Sequence, residues 1–310
     1  VIALLAPGQG SQKPGMLAPW LELPSVHDRV AQWSKAAGLD LVRLGTVAEA
    51  DEITDTAVTQ PLVVASALIA FEEIAQRGLL DKLPELGGIV AGHSVGELAA
   101  AAMAGVISSD DAVALAALRG REMAKACAAV ETGMTAVLGG AEDDVLARLA
   151  ELGLTPANRN APGQIVAAGP MEALAKLAEN PPERAKLRPL AVAGAFHTEF
   201  MAPAQDAVAE AAADIATEDP RRTLLSNADG QPVRSGSEAL DRIVAQITRP
   251  VRWDLCSDTI RDSGAAGLAE LAPAGTLAGI AKRTMRGVPQ LAINTPQDLD
   301  EIEARFDLAD

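Results

Sequence analysis

The sequence predicts an α/β fold: a large subdomain built on a parallel sheet, with a small ferredoxin-like subdomain inserted into it. Three observations lead there. Two short apolar runs, residues 1–6 and 87–91, each end in a glycine-rich turn, and the second passes directly into a helical pattern. Between 133 and 194 the pattern becomes strand, helix, strand, strand, helix, strand, the order of a ferredoxin-like unit. A chain of 310 residues, 49% of them hydrophobic, supplies core enough for one or two such units.

Taken in order, Val-Ile-Ala-Leu-Leu-Ala stops at Pro7-Gly8, too short for a signal segment or a membrane span, and reads as a buried strand. It leads into the loop Pro7-Gly8-Gln9-Gly10-Ser11-Gln12. A helix is expected to begin around Thr59-Gln60-Pro61, with Pro61 near its first position. Its apolar face would run through Leu62, Ala65, Leu68, Ile69 and Ile74 and stop at Gly78. After the strand 87–91 and the turn at Gly92, a helix over 97–104 follows. Ser109, as a capping serine followed by Asp110 and Asp111, announces the next helix, reaching about Cys127. In the small unit, strands at 134–138, 154–158, 164–168 and 187–193 enclose helices at 142–152 and 171–179. Beyond His197, helices are expected near 199–216, 237–248, 254–263 and 275–286, with short strands near Leu224 and Leu268. The boundaries are then 1–128 and 196–310 for the large subdomain and 129–195 for the small one.

Composition narrows the function. Lys and Arg total 26 against 42 Asp and Glu, a net charge of −16, which disfavours nucleic acid and anionic membrane as partners. The two cysteines, Cys127 and Cys256, are too few and too far apart for a disulfide framework or a Cys-rich zinc site, and fit a reducing, cytoplasmic setting. Aromatic residues are 2% of the chain and tyrosine is absent, so aromatic stacking and Tyr acid chemistry are not expected. Any imidazole base must be His27, His93 or His197.

Gly92-His93-Ser94-Val95-Gly96 fits the G-x-S-x-G nucleophile elbow, a sharp strand-to-helix turn that exposes the serine on a hydrolase-like sheet. The helix behind it points its positive end at Ser94, and the Val95 N–H is placed to donate to an oxyanion. The bland alternative is a glycine-rich turn with no chemistry. A serine nucleophile needs a base. His93 adjoins Ser94, where neighbouring side chains diverge, so it reads as a supporting residue. His27, in Ser25-Val26-His27-Asp28-Arg29, reads as part of a solvated helix face. That leaves His197, directly after the last strand of the small unit. No third-member acid announces itself, and a backbone carbonyl can orient an imidazole as well.

These residues resemble a known family, the malonyl-CoA:acyl-carrier-protein transacylases of type II fatty-acid synthesis, with their relatives the acyltransferase domains of polyketide synthases. The matches are Pro7 to Gln12, Thr59-Gln60-Pro61, Gly92-His93-Ser94-Val95-Gly96-Glu97, Arg119-Gly120 with Met123, Asn160-Ala161-Pro162-Gly163-Gln164, Ala195-Phe196-His197, Gln246 before Pro250-Val251, and Leu277 to Arg283. They run in the family's order along nearly the whole chain. The resemblance implies Ser94 as the acylated nucleophile, His197 as base, and Gln9 with the Val95 N–H as oxyanion hole. It also implies that the Gln246 carbonyl orients the histidine and that Arg119 grips the free carboxylate of malonyl. Met123 and Asn160 would line the substrate site, and Phe196, an aromatic before the histidine, accompanies malonyl rather than methylmalonyl. Without that resemblance, Arg119 reads rather as a helix-surface residue paired with Glu122, and the Arg119-Gly120-x-x-Met123 match is what overturns this reading.

The activity so implied moves malonyl from CoA to the phosphopantetheine thiol of acyl carrier protein through a malonyl-serine intermediate, in a cleft between the subdomains. No metal or redox cofactor is implied, and a monomer is expected. A serine hydrolase would share the elbow but release acid to water. A dinucleotide-binding module, suggested by Gly8-x-Gly10 after a strand, lacks the third glycine, where Lys13 stands. An inactive scaffold would lack a catalytic group, and none is missing. Carriers of this kind are usually acidic, so a local basic patch is expected, either Arg184, Lys186 and Arg188 or Lys282, Arg283 and Arg286.

Overall fold

A computed structural model describes residues 1–306 of the chain. β1 (Ile2–Ala6) is buried at every position, the mark of a strand covered on both faces. Four helices follow: α1 (Ala18–Leu21), α2 (Val26–Ala37), α3 (Leu41–Thr46) and α4 (Ala50–Thr54). α2 buries Val26, Val30, Trp33 and Ala37 at helical spacing and leaves the His27 side chain 60% exposed, as a solvated face requires.

α5 (Thr56–Gln76) begins earlier than the sequence suggested. Asp55, whose side chain accepts from the Ala57 N–H, caps it, so Pro61 lies inside the helix rather than at its first position. The interior proline removes one backbone donor, and the apolar contacts of the roughly four turns that follow hold the helix regardless. α5 is long and apolar enough to cross a membrane, the one such helix among the described residues, and its apolar window is 72% buried inside the protein. α6 (Leu79–Lys82) leads to β2 (Leu86–Gly92) and α7 (Gly96–Met103). α8 (Ser109–Ala129) is capped by Ser108, not Ser109: Ser108 is extended, and its hydroxyl accepts the Asp111 N–H at 3.0 Å.

The small unit comprises β3 (Thr132–Gly139), α9 (Glu142–Glu151), β4 (Thr155–Ala161), β5 (Gln164–Pro170), α10 (Met171–Glu179) and β6 (Ala185–Pro189). β6 begins two residues before the 187–193 expectation and ends at Pro189, after which only the Leu190 N–H still reaches the neighbouring strand, at Met134 O. After it come α11 (Ala202–Ala212), β7 (Thr223–Leu224), α12 (Gly236–Ala245), a 3₁₀ turn at Gln246–Thr248, α13 (Trp253–Asp262), β8 (Gly267–Glu270), α14 (Thr276–Thr284), β9 (Gln290–Ala292) and α15 (Ile302–Arg305). β9 is three residues long and carries no periodicity from which it could be read.

The strands form two sheets. One is parallel, in the order β7-β2-β1-β8-β9, and the other is antiparallel, β4-β5-β3-β6. The fold is therefore α/β with a parallel sheet and a separate ferredoxin-like sheet. Alternation divides the core. Leu4 and Ala6 face the helical layer that holds α5 and α7, whereas Ala3 and Leu5 pack with Trp253, Ile260 and Leu277. In β5, Val166 and Ala168 join the main core while Ile165 and Ala167 close a smaller one under α9 and α10. The antiparallel sheet is thus sealed on one face and seated on the large subdomain with the other. A backbone pair fixes the seat: Arg159 N–H donates to Val251 O at 2.9 Å and Val251 N–H to Ala157 O at 2.8 Å.

Candidate active site

The turn between β2 and α7 places Ser94 at φ 54°, in the left-handed region that a non-glycine residue occupies only under constraint. The flanking glycines explain how the chain makes that turn. A Cβ on Gly92 would lie 2.0 Å from the Gly96 carbonyl carbon, and one on Gly96 would lie 2.4 Å from Ala6 O. The strained turn is tied on both sides. Ser94 N–H donates to Asn227 Oδ1 at 2.8 Å, and Gln246 Nε2 donates to Ser94 O at 3.0 Å.

His197 lies 2% exposed, with its Nε2 2.8 Å from Ser94 Oγ and its Nδ1 2.8 Å from the main-chain oxygen of Gln246. A carbonyl oxygen only accepts, so the Nδ1 carries the proton and the Nε2 lone pair faces the serine hydroxyl. Burial, and then the nearby charge of Arg119, push the imidazole pKa down to about 3. A neutral ring is the form that can take the serine proton.

The loop after β1 lies against the elbow, where a Cβ on Gly8 would meet His93 O at 2.6 Å. It brings Gln9 to the cleft. The Gln9 side-chain amide is spent on Thr56 Oγ1, 3.1 Å away, and the backbone N–H groups of Gln9 and Val95 find no backbone acceptor among the described residues. Two free donors thus flank Ser94.

Arg119 is not a surface residue. It is 1% exposed, and Glu122 pairs with Lys125 instead. Its Nη1 donates to Gln60 Oε1 at 2.7 Å and its Nη2 to Gln246 Oε1 at 2.9 Å, while its Nε–H has no partner. Burial lowers the guanidinium to about 10, so it stays charged. A permanent planar cation, held by two amide oxygens and keeping free N–H groups, is a receptor for a carboxylate.

A cleft of about 160 Å³ gathers Gln9, Ser94, Arg119, Met123, Asn160, Phe196 and His197. Met134, Asn158 and Val166 of the antiparallel sheet close it from the opposite side, so it lies between the two sheets. Val95 and Gln246 stand just behind this lining. His93 does not point at the serine: its Nε2 lies 2.8 Å from Asn160 Oδ1 and its ring packs edge-on to Trp253. A second cleft of about 730 Å³ shares Asn160 and Gln164 with the first and is bordered by Arg261 and Arg283.

Three residues at this site went unassigned in the sequence. Asn227 holds the elbow, Gln60 holds Arg119, and Glu97 accepts from Asn227 N–H and Gln246 Nε2. Gln60 and Glu97 sit inside motifs already singled out. Asn227 has only a weak signal, a polar turn straight after the strand at Leu224, on the sheet edge where parallel strands end.

An elbow serine hydrogen-bonded to a carbonyl-oriented imidazole, on a parallel sheet, is the arrangement of serine enzymes that handle acyl groups. The chain belongs to the acyl transferase domain family, whose model matches residues 4–298. It is 64% identical over 302 residues to the malonyl CoA-acyl carrier protein transacylase of Mycobacterium tuberculosis H37Rv, covering 97% of this chain and 99% of the relative. The enzyme of the same name from Escherichia coli K12 is 33% identical over 302 residues, covering 95% and 96%. Among solved structures, the M. tuberculosis malonyl transacylase superposes with a TM-score of 0.93 at 64% identity, covering 97% of this chain and 98% of that one. A malonyl-transacylase in complex with its type II polyketide acyl-carrier protein superposes at 0.88 and 30% identity, covering 97% and 98%.

Proposed function

We propose that this chain transfers malonyl from CoA to the phosphopantetheine thiol of an acyl carrier protein, through an ester on Ser94. The observation that carries the proposal is the buried Arg119 guanidinium in the same cleft as the Ser94–His197 pair, since a hydrolase of neutral esters has no use for a desolvated cation there.

Ser94 Oγ attacks the malonyl thioester carbon while its proton passes to His197 Nε2. The Gln9 and Val95 N–H groups receive the oxyanion, each worth on the order of 3 kcal/mol of barrier. Collapse breaks the C–S bond, and the His197 proton leaves on the CoA sulfur. In the second half the carrier's thiol gives its proton to His197 and attacks the malonyl ester, and Ser94 regains the proton as it departs. One thioester is exchanged for another, so the driving force is small and the kinetics are ping-pong. Every step closes by proton transfer among Ser94, His197 and thiols, so the reaction as drawn uses no metal or redox partner. Arg119 fixes the free carboxylate through both transfers, and Phe196, with Met123, bounds the acyl pocket. A monomer suffices, because all these groups come from one chain, and the two free, buried cysteines fit a reducing cytoplasm.

The test is intact-mass and peptide mapping after incubation with malonyl-CoA. A malonyl mass on Ser94 that disappears on adding carrier protein bearing its phosphopantetheine is the expected result. No adduct on Ser94, or loss of malonyl to water at the same rate without the carrier, would refute it.

A further inference from the structure

Glu97, in the first turn of α7, is an acid that the reaction drawn above does not use, and it is 3% exposed. Its Oε1 accepts the Asn227 N–H at 2.6 Å, and its Oε2 accepts from Gln246 Nε2 at 2.5 Å. The same Gln246 side chain turns its oxygen to Arg119 Nη2, 2.9 Å away. Acid and guanidinium are therefore joined through one amide rather than in a direct ion pair. The other groups that act on Glu97 are Arg242 of α12 and the Cys256 thiol of α13. Arg242 is engaged by Asp229 and Glu238, and burial pushes the Cys256 thiol well above neutrality. Burial works against the Glu97 carboxylate, the N–H groups of Asn227 and Gln246 favour it, and Arg119 is the buried cation that adds to them in the empty site.

A carboxylate seated on Arg119 changes that balance. Two anions then share one buried cation, and like charges in a dry site do not both stay ionised. The incoming carboxylate touches the guanidinium, whereas Glu97 reaches it only through the amide. We propose that Glu97 takes a proton from solvent when the carboxylate of an acyl group binds Arg119, so that the site carries the same net charge empty and loaded. Solvent acid loses the proton and a carboxyl O–H bond forms; nothing is oxidised or reduced. The proposal rests on Arg119 being the carboxylate receptor. Burial raises the Glu97 carboxyl to about 7, which places the exchange in the neutral range. Malonyl binding then weakens as pH rises above that value, by up to about tenfold per pH unit, because the proton must be drawn from a more dilute pool. Acetyl, which lacks the carboxylate, draws none.

The test uses Ser94→Ala, which binds acyl-CoA without forming the ester, in calorimetry at neutral pH in two buffers of different ionisation enthalpy. The expected result is that malonyl-CoA heats differ between buffers by an uptake of about half a proton at pH 7, growing towards one as pH rises above the Glu97 value of about 7, that acetyl-CoA heats do not differ, and that Glu97→Gln in the same background removes the difference and flattens the pH dependence. Buffer-independent heats with malonyl-CoA, or proton uptake that survives Glu97→Gln, would overturn the proposal. Should Glu97→Gln not fold, infrared difference spectra of Ser94→Ala decide: a protonated-carboxyl band must appear with malonyl-CoA and be absent with acetyl-CoA. Equal affinity for malonyl-CoA and acetyl-CoA would bring down the Arg119 reading itself, whereas a malonyl preference without proton uptake removes only the role of Glu97.

Discussion

Ser94 and His197 both occupy positive φ, at 54° and 59°, and each is held there by bonds made through Gln246. That residue gives its main-chain oxygen to the imidazole and its side chain to Ser94 O, Arg119 and Glu97. Replacing Arg119 with Ala removes two or more charge-assisted bonds to a malonyl carboxylate, so kcat/KM for malonyl-CoA should fall by roughly 10²-fold or more. Acetyl-CoA, measured in parallel, should change little. His197 is held neutral down to about pH 3, against an ordinary value of 6.5. Between those pH values the unfolded chain binds a proton at this position and the folded chain does not, so stability contributed here falls as pH drops from 6.5 towards 3. His197→Gln should lose less stability than the native protein across that window, read from denaturant midpoints at a series of pH values. The two-residue logic of serine and histidine was legible in the sequence, because three histidines left only one suited to the task. The roles of Asn227 and Glu97 were not, because their partners are at most loosely spaced along the chain.

At the scale of elements, the packing of α8 on α5 decides whether Arg119 meets Gln60. Gly120 makes that approach possible: a Cβ there would lie 2.7 Å from Thr56 O and 3.3 Å from Gln60 Cβ. Gly120→Ala should therefore destabilise the protein by about 1–3 kcal/mol through overpacking. It should also raise KM for malonyl-CoA more than it lowers kcat, since the serine and its base are untouched. Chemical denaturation and steady-state kinetics read the two effects. The sequence supplied Arg119 and Gly120 together but left open a surface ion pair with Glu122, because a single helix does not reveal which of its faces is covered. The start of α5 was misplaced for a related reason. Proline favours the first helical turn, and that preference was overridden by the Asp55 cap one turn earlier.

For the whole molecule, the cleft exists because the antiparallel sheet is fastened to the large subdomain through Val251. We take 129–195 as the small subdomain on that basis, with 1–128 and 196–310 as the large one. The net charge of −16 means that an acidic carrier must be met by a local basic surface. Lys186 and Arg188 lie exposed on β6, the edge strand of the antiparallel sheet, and Lys282, Arg283 and Arg286 lie exposed at the end of α14. Arg283 borders the second cleft and donates to Gln164, which also lines the first. Reversing Arg283 and its neighbours to Glu should raise KM for the carrier protein several-fold, more strongly at low salt, and leave acylation by malonyl-CoA unchanged. Equal effects on both half-reactions would place this surface elsewhere.

The sequence by itself determined the α/β class, the order of the small unit, the elbow and the choice of His197, because these rest on local patterning and on residue types too scarce to be ambiguous. Only the tertiary structure decided that Arg119 is buried, that Gln246 joins base, elbow and guanidinium, and that Glu97 shares their environment. Those properties depend on which helices and loops come together across more than a hundred residues of chain, and on the water that their contact removes.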